Sequence, residues 1–390
     1  MTSRTLRGTI AASALFAALP LAAAYAAPFM IVGDDEKLLW DQNGAGVVKP
    51  TGHDNVLIVD LANPESPKIV ANLPLENSVI GPPVNVAITP DGSLGLVADS
   101  VTTADEGGKL KAVPTDKLFV IDLKANPPKL TQTVTVGKQP SGLSINAAGD
   151  LALVADRASD AISVLKIEGG KVTQVGQVPM GTLVAAVEFT PDGKHALAVE
   201  SVANQIELLA VDGDKVTDTK TAFPTYIFPY NVAVTPDGKL ALTADNGHSG
   251  NADGNVDLVS VIDLAAPHPH VSDRIAVADA PEGIAVSPKG DVAVVASVMG
   301  SNMRGQWFHH PNGVITVLKI NGTTVTPGKV IEVGNTPEAA VFTPDGAYLY
   351  IGNYLDEDFS ILKVDGTDVT DTGKRFKVPG HPASARMSPH

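Results

Sequence analysis

The sequence predicts an all-β protein, a seven-bladed β-propeller, on the basis of three observations. A segment that reads VNVAITPDG at residues 84–92 returns six more times along the chain. Each copy is followed by short apolar segments separated by turn residues, as expected of successive strands in one antiparallel sheet. No 3.6-residue apolar period follows residue 26, so helical repeats are not predicted. A repeat of about 40–50 residues is typical of propeller blades.

The repeated segment is predicted to be the first strand of each blade. Its apolar residues end at a turn such as Pro90-Asp91-Gly92, in which Pro presets φ, Asp bonds locally and Gly accepts a positive φ. Because proline cannot donate to a strand ladder, it marks the end of the strand. The copies lie at residues 84–92, 141–149, 185–193, 230–238, 282–290, 338–346 and 383–390.

Three further strands follow each copy. In the first unit they are LGLVA, LFVIDL and LTQTVTV, at residues 94–98, 118–123 and 130–136. The first three strands of a unit are nearly continuous apolar runs, as in strands covered on both faces, whereas the fourth alternates like a half-exposed edge strand. Four-stranded antiparallel units of this kind pack face to face around an axis.

The two ends of the sequence are predicted to share the seventh blade. Residues 29–33, 55–61 and 67–75 read as second, third and fourth strands that have no first strand. The last copy, residues 383–390, is a first strand with no successors. Pairing them leaves no open sheet edge at the seam. Residues 27–390 are therefore expected to form a single domain.

A secretory signal peptide is predicted over residues 1–26. Arg4 and Arg7 give a positive start, residues 10–23 are apolar, and Ala24-Tyr25-Ala26 has the small-x-small form of a cleavage site. We therefore expect cleavage near Ala26 and a periplasmic or secreted protein. No later segment approaches the roughly 18 apolar residues of a membrane span, so none is predicted.

Charge and cysteine content exclude several classes of function. The formal net charge is −15, and it becomes −17 when Arg4 and Arg7 leave with the signal peptide. A surface this acidic repels phosphate backbones, which argues against a nucleic-acid partner. The sequence has no cysteine, which excludes disulfides, thiolate metal sites and c-type haem attachment. The expected partners are a small molecule or another envelope protein.

The segments VAITPDG, LALVAD and VIDL resemble the YVTN-type repeats of exported bacterial seven-bladed propellers. That group is similar to the lactonase-type propellers, which include 6-phosphogluconolactonase and carboxymuconate-lactonising enzymes. The resemblance covers essentially all of residues 27–390. It implies the propeller fold and, as one alternative, a hydrolase or lyase that acts on a small lactone or carboxylate. The motifs themselves are turn and core residues, so they specify no activity.

Four long insertions are expected on one face, which we call the upper face because it carries the connections between second and third strands. Long loops on one face of a rigid scaffold are where binding sites usually lie. The alternative is that they only cover the channel mouth. The insertions are residues 34–54, 100–116, 246–255 and 298–312.

The mouth of the central channel offers candidate acid–base and ligand-binding residues. Glu282 and Glu338 follow a proline at the top of adjacent innermost strands, and His381 lies in the last link between blades. Paired carboxylates with a histidine nearby can perform general acid–base chemistry. The alternative is a rim of solvated side chains. The ligand-binding candidates lie near the upper face and are Arg157, Tyr226, Tyr230, Arg304 and Trp307.

Two other groups of side chains could bind a cation. The segment MGSNMRGQWFHH contains His309, His310, Met299 and Met303, and imidazole and thioether ligands suit copper or, for imidazole, another divalent metal such as zinc. Adjacent histidines on an extended segment point in opposite directions, however, and Met and aromatic residues also pack loops down. The second group ends the second strands and could form an acidic ring or bond to nearby backbone amides: Asp34, Asp99, Asp156, Glu200 and Asp245.

The leading hypothesis from the sequence is an exported binding propeller whose ligand, metal or partner site lies on the upper face. A lactonase-type enzyme is one alternative, with Glu282, Glu338 and His381 as acid–base groups and Arg157 or Arg304 orienting a carboxylate. An envelope interaction scaffold is another. No nucleophile elbow, phosphate-binding Walker loop, H-E-x-x-H or EF-hand calcium loop occurs in the sequence.

Overall fold

The computed structural model describes residue 1 and residues 28–41, 43–248 and 251–389. The described residues form seven four-stranded antiparallel sheets and one two-stranded sheet, which confirms the predicted seven-bladed propeller. The predicted signal peptide lies outside the described residues except for Met1. Among the residues described, no helix has the length and apolar character needed to cross a membrane.

The chain begins with strands that belong to the seventh blade and to an inserted hairpin. These strands are β1 (Phe29–Asp34), β2 (Leu38–Trp40), β3 (Gly46–Val48), β4 (Asn55–Asp60) and β5 (Lys68–Leu73). Blade 1 follows as β6 (Val86–Ile88), β7 (Leu94–Asp105), β8 (Leu110–Asp122) and β9 (Lys129–Thr135). Blade 2 consists of β10 (Pro140–Ile145), β11 (Leu151–Asp156), β12 (Ala161–Glu168) and β13 (Lys171–Pro179).

The remaining blades repeat the same order. Blade 3 consists of β14 (Val184–Phe189), β15 (His195–Glu200), β16 (Gln205–Asp212) and β17 (Lys215–Pro224). Blade 4 consists of β18 (Pro229–Val234), β19 (Leu240–Asp245), β20 (Asp257–Asp263) and β21 (His270–Val277). Blade 5 consists of β22 (Pro281–Val286), β23 (Val292–Ser297), β24 (Val314–Asn321) and β25 (Thr324–Glu332). Blade 6 consists of β26 (Pro337–Phe342), β27 (Tyr348–Asn353), a 3₁₀ turn (Tyr354–Asp356), β28 (Asp358–Asp365) and β29 (Asp368–Lys377), and β30 (Pro382–Met387) then begins blade 7.

The hydrophobic core lies between neighbouring blades. Every residue of β11 is buried, whereas most residues of the outer strand β9 are exposed. Leu96 and Val120 of blade 1 pack in one cluster with Leu143 and Val154 of blade 2, and comparable clusters join other neighbouring blades. The apolar pattern of each strand therefore follows from the two blades that cover it.

The repeated turn closes the first strand through its threonine. Thr89 Oγ1 accepts a hydrogen bond from the Leu94 amide at 3.0 Å and donates to Asp91 Oδ1 at 2.7 Å. Gly92 has a φ of +66°, in the left-handed region that glycine tolerates. The side chains of the TPDG motif thus hold the turn, as the sequence predicts.

Blade 7 is completed by the two ends of the described chain. Its strand order is β30-β1-β4-β5, and Val32 pairs with Ala385 in the antiparallel ladder. The Phe29 amide donates to Ser388 Oγ at 3.0 Å, and the Ser388 amide donates to the Phe29 carbonyl at 2.8 Å. The predicted seam is therefore confirmed, and the innermost strands of all seven blades surround one axial channel.

We expect Ala385→Asp to destabilise the protein by about 3–5 kcal/mol, because it places an unpaired charge at a buried position of the seam. Urea unfolding would measure the loss. Ala148→Asp is the matched control, because Ala148 is exposed and occupies the turn position at which other copies already have Asp. Equal unfolding midpoints for the two variants would contradict the seam as a stabilising contact.

Candidate functional site at the upper mouth of the channel

The four insertions contact one another and form a roof over the upper mouth of the channel. The Thr51 amide donates to Thr103 Oγ1 at 3.2 Å, which joins the first insertion to the second. A Cβ on Gly44 would lie 2.7 Å from Met303 Cα, and one on Gly254 would lie 2.7 Å from Phe308 Cβ. These close approaches join the insertion at 298–312 to both 34–54 and 246–255. The structure therefore places all four insertions on one face.

Beneath this roof lies a cavity of about 220 Å³. It brings together four of the sequence-predicted residues: Arg157, Tyr230, Glu282 and Glu338. Two aromatic side chains also line it: Phe228, which lies two residues before Tyr230, and Trp40, which the sequence did not single out. The remaining lining residues are Val79, Ile80, Gly81, Asn251, Ala252, Ala280, Val298, Asn302 and Thr336.

The repeat itself directs three of these side chains into the cavity. Tyr230, Glu282 and Glu338 are each the second residue of an innermost strand, directly after its first proline. The residue before that proline, Phe228, Ala280 or Thr336, has a positive φ of 53–54°. This uncommon conformation, repeated in three neighbouring blades, turns the chain from the link into the innermost strand. Equivalent positions in neighbouring blades therefore face the same cavity.

Burial of the two glutamates favours the protonated form of their carboxyl groups by raising the pKa of each. Burial raises the pKa of Glu282 to about 8, although a hydrogen bond from Asn246 and the charge of Arg157 act in the opposite direction. Asn246 Nδ2 donates to Glu282 Oε1 at 3.0 Å. Burial and the nearby Glu282 charge also raise the pKa of Glu338 well above its usual value. Because each negative charge disfavours the other and both groups are desolvated, the acid form is favoured within this pair.

Arg157 has a buried guanidinium whose hydrogen-bonding capacity is incompletely used. Among the described residues, its Nε and Nη1 have no hydrogen-bond acceptor. The guanidinium carbon lies 5.8 Å from the centroid of the Tyr230 ring, within cation–π distance, and that ring stacks on Phe228 at 6.3 Å. Burial raises the pKa of Tyr230, so its phenol stays neutral. The Tyr230 ring partly stabilises the cation, and a hydrogen bond from Arg157 to the Tyr230 hydroxyl opposes the rise in the tyrosine pKa, whereas Nε and Nη1 keep no acceptor among the described residues.

His381 does not join the two glutamates. Its Nδ1 pairs with the Tyr354 carbonyl oxygen at 2.8 Å, and its ring stacks on the Tyr354 ring at 5.0 Å. The histidine is buried and does not line the cavity. The structure therefore gives His381 a packing position at the seam between blades 6 and 7.

Three other ligand-binding candidates lie outside the cavity. Tyr226 is half-buried, and its backbone amide donates to Asp245 Oδ2 at 3.2 Å. Arg304 is exposed on the roof, and Trp307 is 84% exposed. Of the two arginines that the sequence proposed for a carboxylate, the structure thus places Arg157 in the cavity and Arg304 on the surface.

The metal candidates are divided between two places. Met299, His309 and His310 line an open groove beside Trp307, whereas Met303 packs against a small buried cluster formed by Ala252, Ala280 and Val298. His309 Nδ1 pairs with the Gly300 carbonyl oxygen at 3.0 Å. Among the described residues, no group of three His, Cys, Asp or Glu side chains is placed to hold a metal ion.

The acidic residues at the ends of the second strands are buried and do not form an open ring. Asp156 Oδ2 accepts a hydrogen bond from Ser163 Oγ at 2.7 Å, and Asp245 Oδ2 accepts one from Ser260 Oγ at 2.6 Å. Each of these bonds links the end of a second strand to the third strand of the same blade. The structure therefore assigns these two carboxyls to the blade interior.

Sequence reasoning missed a buried ionic cluster around Lys37. Its side chain is fully buried, and its Nζ donates to Asp54 Oδ2 and to the Asn77 carbonyl oxygen. Asp35 Oδ1 lies 3.5 Å and Glu76 Oε2 3.6 Å from the same nitrogen. One ammonium therefore joins three separate segments of the chain. Lys37 lies in an insertion without a repeat pattern, so no periodicity in the sequence could indicate this contact.

The Lys37 cluster supports two walls of the cavity. Asp35 Oδ2 accepts a hydrogen bond from the Val79 amide at 2.8 Å, and Val79 begins the segment that lines the cavity. The Tyr354 hydroxyl donates to the Leu38 carbonyl at 2.5 Å, and the Trp40 ring packs edge-on against Tyr354 at 5.8 Å. The cluster thus fixes the positions of the Trp40 hairpin and of the link between blades 7 and 1.

Comparison with known structures identifies similar propellers. A proposed 6-phosphogluconolactonase from Bacteroides uniformis has a TM-score of 0.70 at 16% identity, over 92% of this chain and 99% of its own. A periplasmic gluconolactonase from Pseudomonas aeruginosa has a TM-score of 0.66 at 16% identity, and the match covers 93% of this chain and 99% of the gluconolactonase chain. Hydrazine synthase from Kuenenia stuttgartiensis has a TM-score of 0.60 at 19% identity, and the match covers 80% of this chain and 90% of the hydrazine synthase chain. At these identities the likeness shows the fold.

No family model matches the chain, and no curated protein has a matching sequence. The resemblance to YVTN-type repeats therefore remains a sequence-based interpretation.

We expect Lys37→Met to destabilise the protein by about 3–5 kcal/mol at pH 8, because it leaves buried carboxylates without their cation. Burial already raises the folded-state pKa of Asp35 from 3.8 to about 6, and loss of the ammonium raises it further. The folded variant then binds more protons than the unfolded chain, so its stability falls as the pH rises through this range. The loss in the free energy of unfolding caused by Lys37→Met is therefore smaller at pH 5 than at pH 8.

Urea unfolding of both proteins at pH 5 and pH 8 measures this difference. Lys111→Met is the matched control, because Lys111 forms an exposed ion pair with Glu106 and such pairs contribute at most about 1 kcal/mol. A pH-independent defect in Lys37→Met would show that lost packing, not lost charge, causes it.

Proposed function

We propose that this chain is an exported binding protein and that the cavity beneath the roof binds a small hydroxylated carboxylate. The observation that supports the proposal is the buried guanidinium of Arg157, whose Nε and Nη1 lack acceptors among the described residues. Leaving buried donors of a charged group unpaired is costly, and a ligand carboxylate would satisfy them in the two-bond geometry that arginine favours.

The other side of the cavity suits the uncharged part of such a ligand. Arg157 acts electrostatically on Glu282, yet the two form no ion pair in the described part of the chain, so a ligand has room to lie between them. The protonated member of the glutamate pair can donate a hydrogen bond to a hydroxyl or carbonyl oxygen. Trp40 and Phe228 offer apolar ring surfaces to the carbon skeleton.

The size of the cavity favours a small ligand. Its volume of about 220 Å³ lies below the roughly 300–1,000 Å³ of sites that hold drug-sized molecules. The roof restricts entry from the upper face, so a monomeric acid fits this site better than a polymer chain. The binding energy then has to come from few, well-placed polar contacts.

Lactone hydrolysis is a second candidate function, and the glutamate pair favours it. One carboxyl in acid form can protonate the leaving ring oxygen, while the other, when ionised, can accept a proton from the attacking water. Arg157 would then stabilise the carboxylate that ring opening produces. Of the propellers with a similar fold, one is described as a proposed 6-phosphogluconolactonase and another as a periplasmic gluconolactonase, which is consistent with this candidate.

We expect Arg157→Gln to weaken binding of a sugar acid such as gluconate by about 10–150-fold, the equivalent of the roughly 1.5–3 kcal/mol of a hydrogen bond to a charged group. Isothermal titration calorimetry on residues 27–390 would measure the change. Arg304→Gln is the matched control, because Arg304 is exposed on the roof. Similar losses in both variants would place the ligand on the outer surface.

For the lactonase candidate, we expect Glu282→Gln and Glu338→Gln each to lower kcat/KM on a sugar lactone at least about 100-fold, the usual contribution of a positioned acid or base. If Glu282 is the acid, activity falls as the pH rises through about 8, because its carboxyl then loses the proton. Initial rates from pH 6 to 10 test both points. Glu106→Gln, at an exposed position, is the control, and full activity in both buried variants would exclude this mechanism.

A further inference from the structure

A second cavity of about 230 Å³ lies lower on the channel axis. Its walls come from the innermost strands of several blades, including β14 of blade 3, β18 of blade 4 and β30 of blade 7. It reaches Pro288 at a lower turn, so it occupies the lower half of the channel. We call it the lower chamber.

The lower chamber and the upper cavity share no lining residue, and neighbouring innermost strands pack closely at the level between them. A Cβ on Gly283 would lie 2.0 Å from the Glu338 carbonyl oxygen, so there is no space for a side chain at this position. Asn231 Nδ2 approaches the Glu282 carbonyl oxygen at 3.4 Å. The two cavities are therefore distinct sites, and ligand binding in the lower chamber does not depend on the function proposed for the upper cavity.

The lower chamber contains one acid and one base, held on different blades. Among its lining residues, Glu188 of β14 and Arg386 of β30 are the ionisable ones. Arg386 acts electrostatically on Glu188, yet the ion pairs of the described residues do not include this pair. The two charged side chains therefore line the same chamber without forming an ion pair with each other.

Each of the two groups keeps hydrogen-bonding capacity for a ligand. Arg386 Nε donates to the Val86 carbonyl oxygen at 3.2 Å, which fixes the guanidinium plane. No described residue accepts a hydrogen bond from its Nη1 or Nη2. Glu188 is partly buried, and desolvation raises the pKa of its carboxyl, while the Arg386 charge and a hydrogen bond with Ser144 act in the opposite direction. The intervening wall is apolar and includes Ile284 and Phe342.

We propose that the lower chamber binds a small aliphatic zwitterion, an amino acid in chemical class. Its carboxylate would pair with the Nη groups of Arg386, its ammonium with Glu188, and its short carbon chain with the apolar wall. A simple anion would leave the Glu188 charge unpaired, and a simple amine would meet the Arg386 charge. A ligand with both charges satisfies both groups at once, which is the arrangement that low-dielectric surroundings favour.

The test is isothermal titration calorimetry with glycine, L-alanine, β-alanine and 4-aminobutyrate, compared with acetate and ethylammonium. We expect at least one zwitterion to bind, and to bind at least tenfold more tightly than acetate or ethylammonium. Glycine and L-alanine have the same distance between their charges and differ by one methyl group, whereas β-alanine and 4-aminobutyrate separate the charges by one and two further methylenes. The charge separation of the tightest ligand therefore reports the span from Arg386 to Glu188. Absence of binding by all four would overturn the proposal, as would equal affinity for acetate.

Variants then locate the site. Glu188→Gln and Arg386→Gln should each weaken zwitterion binding at least tenfold, whereas Arg157→Gln in the upper cavity should leave it unchanged. Because Arg386 lies in the closing strand, Val286→Phe provides a second variant that fills the chamber without removing a charge. Thermal unfolding checks that each variant folds. Unchanged affinity in Glu188→Gln and in Val286→Phe, or a loss in Arg157→Gln, would contradict the lower chamber as the site. Sugar-acid binding by the wild type is measured separately, so failure here does not bear on the upper cavity.

Discussion

The pairing of β30 with β1 is the contact on which the rest of the structure depends. It closes seven sheets into a ring, and closure alone brings side chains from blades distant in sequence to one axis. Arg157 belongs to blade 2 and Glu282 to blade 5, yet both line one small cavity. Without the seam the blades would keep their interfaces with their neighbours, but no common channel would exist for these side chains to share.

Buried charged side chains are paired in one part of the molecule and unpaired in another. Around Lys37, one ammonium is surrounded by carboxylates and by a backbone carbonyl, so the cluster serves as a brace between segments. In the upper cavity, the charge of Arg157 lowers the pKa of Glu282, yet neither glutamate accepts a hydrogen bond from Nε or Nη1 of Arg157. An unpaired buried charge is unfavourable. The unpaired Arg157 beside a cavity is therefore a stronger indication of a binding site than the fully paired Lys37 cluster.

The sequence predicted most of the fold because each blade repeats the same turn and apolar runs. The repeat also predicted that Glu282, Glu338 and Tyr230 face the channel, since each lies five residues before the turn Thr or Ser. The same counting could have found Glu188 and Arg386, which both lie two residues before that position in their copies. Lys37, Trp40 and the orientation of His381 could not be predicted, because they depend on contacts of unrepeated insertions. His381 is turned away by a hydrogen bond to a carbonyl of the neighbouring blade, which no side-chain pattern encodes.

The seam also constrains how the protein can be made. Phe29 and Ser388 form hydrogen bonds with each other although they are 359 residues apart. The pairing of β1 therefore has to follow synthesis of the last strand, whereas the blades between them can fold in the order of their synthesis. At typical ribosomal speeds of about 5–20 residues per second, this wait is on the order of 20–70 s. Throughout it, one flank of β1 presents free backbone groups beside an apolar face, the surface that promotes aggregation. A nascent chain of this design benefits from a holding chaperone until synthesis is complete.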